Sequence, residues 1–290
     1  MNIALLHEHP SWSTSLIQAF ASRGIALEVI DVGSLNWDCR ATADFDLAIN
    51  RVNVMPSAGR PTSVAAHTQH YLHWLEQQGV RVINGARAHF VGCSKAAQSA
   101  LFNQLGLSTP RAVAINHPEQ ALAVSAQIGF PCIVKPNLGG SGAGIARYQQ
   151  PEELALAIKT RQLDLGLDGT GLVQENIPSA DGFVYRLEIL GGELFYAIRQ
   201  PIQEGAFNYC AADGCSTGGE KTIEPFSPSA EIVKSAIECI RAAGADLGGV
   251  EYLIHAETGE PCFYDFNPYS NFVADGETLQ AHRVTVLENL

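Results

Sequence analysis

Several signatures are missing from this chain of 290 residues. Its seven cysteines, at 39, 93, 132, 210, 215, 239 and 262, form no C-x-x-C. Their odd number and scatter argue against a disulfide framework or a zinc site, and free, mostly buried thiols are expected. The nearest pair, Cys210 and Cys215, reads as unpaired loop cysteines, with a redox or zinc role as the less favoured alternative. No apolar run approaches the ~18 residues of a membrane span. The opening MNIALLHEHP has no charged leader, so neither a signal peptide nor a membrane segment is expected, and the location implied is cytoplasmic. G-K-[ST] is absent, which excludes the usual P-loop, and so is G-x-G-x-x-G, which a dinucleotide fold would place near its start. No repeat or low-complexity linker occurs. Basic residues are scarce: 18 Lys and Arg face 30 Asp and Glu, a formal net charge of -12. That balance argues against nucleic acid or an anionic membrane as partner, since both demand a concentrated basic face. A local basic pocket remains open.

What is present suits a globular protein of two or three packed lobes. Hydrophobic residues make up 46% and charged residues 17%. The first third alternates IALL, ALEVIDV, FDLAIN and VRVIN with the helical periods STSLIQAFASRG and SVAAHTQHYLHWLEQQG. Strands alternating with helices predict a covered, mostly parallel sheet. A second region opens with the helix CSKAAQSALFNQLG, with Ser94 as N-cap and Gly106 as stop. It carries the short strands RAVAI, PCIVK and AGIARY and two helices opened by Pro118 and Pro151. From about Gly171 the texture turns strand-rich. GLVQENI, FVYRLEILGGELFYAIRQP and GGVEYLIHAETGEPCFYDFN read as strands and hairpins around one helix, AEIVKSAIECIRAAG. Residues 203–228 read as a polar loop or flap. The lobes are set at 1–88, 89–170 and 171–290.

The chemistry starts at VKPNLGGSGAGI. Pro136 biases Lys135 toward extended backbone, so the lysine ends a strand. Gly139, Gly140, Gly142 and Gly144 follow, around Ser141, and let backbone amides approach an anion. The bland alternative is a hairpin turn beside a surface lysine. In the last hairpin, ETG reads as a three-residue loop with Gly259 in the left-handed position, which sets Glu251 opposite Asp265. Asp265 and Asn267 share a face of one strand. Three oxygen donors there suit Mg²⁺, with Mn²⁺ as a substitute. A solvated strand face is the alternative, but Phe263, Tyr264 and Phe266 mark the strand as buried, and buried carboxylates need partners. GLVQENI stops at Gln174, Glu175 and Asn176, whose backbone groups suit an adenine edge, with Asp181 placed for ribose hydroxyls. A strand followed by a plain turn fits those residues equally well. At residues 7–10, HEHP ends the first strand. There His7, Glu8 and His9 are ordinary loop residues, substrate contacts or, less plausibly, metal ligands.

Taken together, these pieces resemble the ATP-grasp family over roughly Ala86 to Pro268, in the branch of ribosomal-protein glutamate ligase and related amino-acid ligases. The resemblance implies an α/β fold with a Rossmann-like N-terminal open sheet, a central small lobe bearing a glycine lid, and a C-terminal antiparallel lobe. It assigns Lys95 and Lys135 to nucleotide phosphate and VQENI, with Ile177, to the adenine hinge. Glu251, Asp265 and Asn267 become the metal set. Arg199, in FYAIRQP, aligns with an arginine facing the reacting phosphoryl or carboxylate group; its bland reading is a surface arginine. The family's D-x-R stands here as VYR, so Arg186 remains and the aspartate is lost. The loop GAFNYCAADGCSTGG departs from the family's substrate motif, and only Asn208 survives from it. The implied activity is ATP-dependent joining of a small carboxylic acid to an amine through an acyl phosphate, on amino-acid or peptide substrates. Association into a homo-oligomer is compatible with it. A small-molecule kinase and an inactive nucleotide-binding regulator are the rival expectations.

Overall fold

The computed structural model describes residues 1–53, 55, 62–140, 142–202 and 224–269. It opens with β1 (Ile3–His7), a 3-10 turn (Pro10–Ser13), α1 (Thr14–Ser22), β2 (Glu28–Asp31), β3 (Leu47–Asn50), α2 (Val64–Gln77) and β4 (Arg81–Ile83). The four strands make one parallel sheet in the order β2-β1-β3-β4. Every residue of β1 is buried. Ala4 and Leu6 join the cluster under α2, and Ile3 and Leu5 join Phe20 of α1 on the other face. A strand covered on both sides has no polar face, which is why IALL reads as an unbroken apolar run.

The chain continues through α3 (Ala86–Cys93), α4 (Lys95–Gln104), β5 (Ala112–Ile115), α5 (Gln120–Ile128), β6 (Cys132–Pro136), β7 (Ala146–Tyr148), α6 (Pro151–Lys159) and β8 (Gly171–Glu175). These strands form an antiparallel sheet in the order β5-β8-β6-β7. Strand β8 therefore completes the central sheet, and the sheets do not part at 170/171. Helix α4 crosses the other way. Its Leu101 and Phe102 lie in the core of the C-terminal lobe with Phe263 and Phe266.

That lobe holds β9 (Ser179–Leu190), β10 (Glu193–Pro201), β11 (Glu224–Pro225), α7 (Ala230–Ala242), β12 (Leu247–His255) and β13 (Pro261–Asn267). Its sheet runs β11-β10-β9-β12-β13, antiparallel throughout. Ser229 caps α7, its hydroxyl accepting from the Ile232 amide. The helix lays Ala236, Cys239 and Ile240 on one sheet face, against Tyr185, Leu187 and Ile189. Period-two alternation sends Val184, Arg186 and Glu188 to the opposite face.

Asn84 joins the N-terminal sheet to this lobe. Its Nδ2 donates to the carbonyls of Leu247 (3.0 Å) and Pro268 (2.5 Å), and its Oδ1 accepts from the amides of Asp246 (2.9 Å) and Leu247 (3.3 Å). The residue sits at φ 54°, a left-handed conformation that asparagine tolerates. Among the described residues no helix is long and apolar enough to cross a membrane.

Candidate active site

A cavity of about 430 Å³ opens between the central and C-terminal sheets, with the end of the N-terminal sheet as its third wall. Two tethers bring its lysines together. Asn137, two residues past Lys135, accepts through its backbone oxygen from the Lys95 amide (3.0 Å) and through Oδ1 from the Ala96 amide (2.9 Å) and the Ser94 hydroxyl (3.1 Å). The start of α4 is thereby pinned to the end of β6. Gln98, one turn along α4, exchanges hydrogen bonds with the backbone of Phe266: Nε2 donates to its carbonyl (2.9 Å) and Oε1 accepts from its amide (3.2 Å). That bond lays α4 across β13, and the Lys95 ammonium pairs with the Asp265 carboxylate.

Gly259 has φ 71°, as expected, but the loop is four residues, 256–259, and not three: the His255 amide donates to the Glu260 carbonyl (2.9 Å) and Ile254 pairs with Pro261. Glu251 still lies opposite Asp265, because an irregularity between Glu251 and Tyr252 shifts the register by one. Glu251, Asp265 and Asn267 all line the cavity. Burial raises the pKa of Glu251, and the Arg186 guanidinium, 2.7 Å away at Nη1, opposes that rise. Burial pulls the Lys135 ammonium down to about 8, with repulsion from Lys95 in the same direction. Among the described residues no three His, Cys, Asp or Glu side chains cluster around a point. A cation here would rest on two carboxylates and one amide oxygen. That hard oxygen set fits Mg²⁺ or Mn²⁺, which commonly take a couple of carboxylates plus substrate phosphates.

Gly139, Gly140 and Gly142 face the cavity. Gly144 has φ 72°, and a Cβ there would stand 2.7 Å from Cγ of Pro136, so position and conformation both demand glycine. Past Glu175 the β8 pairing ends, and Asn176 and Ile177 turn into the cavity with Gln174. Ile133, Ile145, Ile177, Val184 and Leu253 give that end an apolar lining.

Three expected residues are not themselves among those lining the cavity. Glu175, expected to act through its backbone, lies between the lining residues Gln174 and Asn176, and one of its carboxylate oxygens accepts from the Arg111 amide (3.2 Å). Asp181 is held by its own turn. Burial disfavours its ionised form, but hydrogen bonds from Tyr185 (2.6 Å), Phe183 (3.1 Å) and Ser179 (2.9 Å) outweigh that and lower its pKa. Arg199 faces the wrong side of the sheet. Paired in register with Tyr185, it points to the α7 side, ion-pairs with Glu224 (2.7 Å) and stacks over Phe183 at 4.4 Å. The reason is strand parity: Arg199 shares a face with Ala197, which is in the core. Ser141 and Asn208, and the Cys210 and Cys215 pair, lie outside the described residues.

Of HEHP, His7 and Glu8 are buried and His9 stacks on Trp12 at 4.8 Å. It is Trp12 that lines the cavity, with Arg51, Asn53 and Met55 at the carboxyl ends of the parallel strands. Arg147 and Arg186 line it as well. Arg147, which the sequence reading does not single out, pairs in register with the lining residue Ile133 and so shares the cavity face. Trp12 and Arg51 carry no local signal beyond their place after a parallel strand. Five cationic side chains and two carboxylates thus border one cavity in a chain of net charge -12.

The family model of the RimK-like ATP-grasp domain matches residues 93–271. A probable alpha-L-glutamate ligase of Marinomonas sp. is 25% identical over 267 residues, covering 87% of this chain and 83% of its own. The carbamoyl phosphate synthase large chain of Archaeoglobus fulgidus is 26% identical over 212 residues, covering 67% of this chain; the match spans only 18% of that much longer protein. Among solved structures, a RimK domain ATP-grasp protein from Sphaerobacter thermophilus superposes with a TM-score of 0.68 at 21% identity, covering 99% of this chain and 96% of its own. The ATP-grasp ligase PsnB with its minimal precursor gives 0.70 at 19% identity, covering 100% and 99%. PsnB has also been solved with Mg and ADP.

Proposed function

The chain belongs to the RimK-like ATP-grasp family, and from that premise we propose that it is an ADP-forming carboxylate–amine ligase acting on an amino acid or short peptide. The observation that carries the reading is the convergence of Lys95, Lys135, Glu251, Asp265 and Asn267 on one cavity from three separate stretches of chain. Side chains of both signs, set this way, suit a polyphosphate and its cation. The relative named as a glutamate ligase supports an amino acid as one partner.

ATP would lie between the two antiparallel sheets. Ile133, Ile177 and Leu253 would sandwich the base, and the free edge past Glu175 would meet its hydrogen-bonding side. Lys95 and Lys135 would neutralise phosphate oxygens, and the amides of the glycine segment would close over them. Glu251, Asp265 and Asn267 would hold the divalent cation, which supplies charge neutralisation on the transferring phosphoryl group. The substrate carboxylate would accept the γ-phosphoryl group, and an amine would displace phosphate from the acyl phosphate. No protein nucleophile is required. The wall bearing Trp12, Arg51 and Asn53 faces the remaining space and suits the acid or the amine.

A screen of ADP release across pairs of amino acids and short acidic peptides tests the reading. One pair that yields ADP, phosphate and the amide supports it. ATP turnover that produces a phosphate monoester instead would replace it with the kinase.

A further inference from the structure

Behind the cation carboxylates lies a third acid, Glu188, which does not border the cavity. The register sets two cross-strand rows on the cavity face of the C-terminal sheet. Arg186, Glu251 and Asp265 stand side by side in one row, and Glu188, Gly249 and Asn267 in the next. The middle of the second row carries no side chain, and the Arg186 guanidinium fills that space. A Cβ on Gly249 would stand 2.7 Å from Cζ and 2.8 Å from Nε of Arg186. Gly249 does not have a positive φ, so the site needs glycine for room and not for backbone conformation. Laid flat in this cradle, Arg186 donates through Nε to Glu188 (2.6 Å) and through Nη1 to Glu251 (2.7 Å). The side chain of Glu188 is fully buried, and those of Arg186 and Glu251 are only 12% and 14% exposed.

We propose that Glu188 is a positioning residue for the cation site, acting through Arg186 in the Gly249 cradle. The inference rests on the ligase reading above. A guanidinium touching a cation ligand does two opposed things. It fixes the carboxylate's orientation, and its positive charge repels the incoming divalent ion. Glu188 resolves the conflict: it takes the opposite side of the guanidinium, offsets its charge and holds it off the open carboxylate edge. The arrangement keeps the geometric benefit and cancels most of the field. Water is largely excluded here, so the cancellation is felt at short range. Removing such an outer partner typically lowers metal affinity or activity by ~10–100-fold.

Two variants separate the charge from the cradle. Glu188→Gln keeps shape and removes the charge; Gly249→Ala keeps every charge and pushes the guanidinium out of place. Mn²⁺ binding to each is measured by calorimetry with a non-hydrolysable ATP analogue present. Circular dichroism and a melting curve establish that each variant is folded at the assay temperature. The expected result is Mn²⁺ affinity lower by ~10–100-fold in both variants, with a matching rise in the Mg²⁺ concentration that half-saturates ADP release. Wild-type affinity in both, even with a lowered melting temperature, would make Glu188 merely structural and overturn the proposal while leaving the ligase reading in place. Should Glu188→Gln fail to fold, Gly249→Ala decides alone. A wild-type protein that takes up no Mn²⁺ with the nucleotide overturns the cation site and this proposal together.

Discussion

Asp265 sits opposite Glu251 in the hairpin, beside the Lys95 ammonium, and two residues before Asn267. Asp265→Asn preserves the volume and removes the charge that both lysine and cation would use. Turnover should drop by at least ~10²–10³, with an unchanged circular dichroism spectrum; near-normal kcat would make the carboxylate structural. Arg199→Lys is the contrast. Because Arg199 pairs with Glu224 on the far face, kcat should stay at the wild-type level. Lys135 gives a pH signature. Burial lowers its ammonium pKa to about 8 in the folded chain, against ~10.4 when unfolded. The unfolded chain therefore binds the extra proton between those values, so this residue makes stability rise with pH across that window. Bound phosphate favours the charged form. Nucleotide binding near pH 8.5 should take up a proton, and its affinity should fall as pH rises. Calorimetry in two buffers of different protonation heat measures the uptake; none would place Lys135 away from the phosphates.

At the scale of elements, the cavity depends on how the N-terminal sheet is bolted to the C-terminal lobe. Asn84→Ala leaves the amides of Asp246 and Leu247 and the carbonyls of Leu247 and Pro268 without the partner they have now. Each buried group left unsatisfied costs about 1–3 kcal/mol, so urea unfolding should show a loss of several kcal/mol. A change under about 0.5 kcal/mol, the range of ordinary surface substitutions, would mean that the docking rests on apolar contacts alone. The elements themselves were largely legible. IALL, the Ser94 cap and the left-handed Gly259 follow local rules of period, capping and turn, whereas the loop is one residue longer than ETG and the irregularity that sets Glu251 opposite Asp265 has no local signal. Helix α3 escaped because ARAHFVGC buries Ala88, His89 and Val91 without a clean apolar stripe. The place of β8 escaped because strand pairing is non-local: nothing in GLVQE says that its neighbours are β5 and β6. Arg199 failed on parity. The strand was correct, but the sequence did not say which face looks at the cavity, and β10 carries an irregularity between Leu194 and Tyr196.

The whole molecule is acidic, yet the cavity between its sheets is bordered by Arg51, Lys95, Lys135, Arg147 and Arg186. Three sheets from distant parts of the chain are needed to assemble that contrast, so composition alone spoke only against nucleic acid or an anionic membrane and left a local basic pocket open, while the motifs pointed toward a phosphate ligand. The central claim is that a carboxylate accepts the phosphoryl group. An acyl phosphate is captured by hydroxylamine as a hydroxamate, whereas a phosphate monoester is not. The decisive measurement supplies ATP, Mg²⁺, hydroxylamine and the candidate acid, with no amine, and assays nucleotide and hydroxamate together. The account predicts ADP and hydroxamate in equal amounts, both absent in Asp265→Asn. A stable phosphorylated product with ADP and no hydroxamate, or AMP in place of ADP, would contradict it.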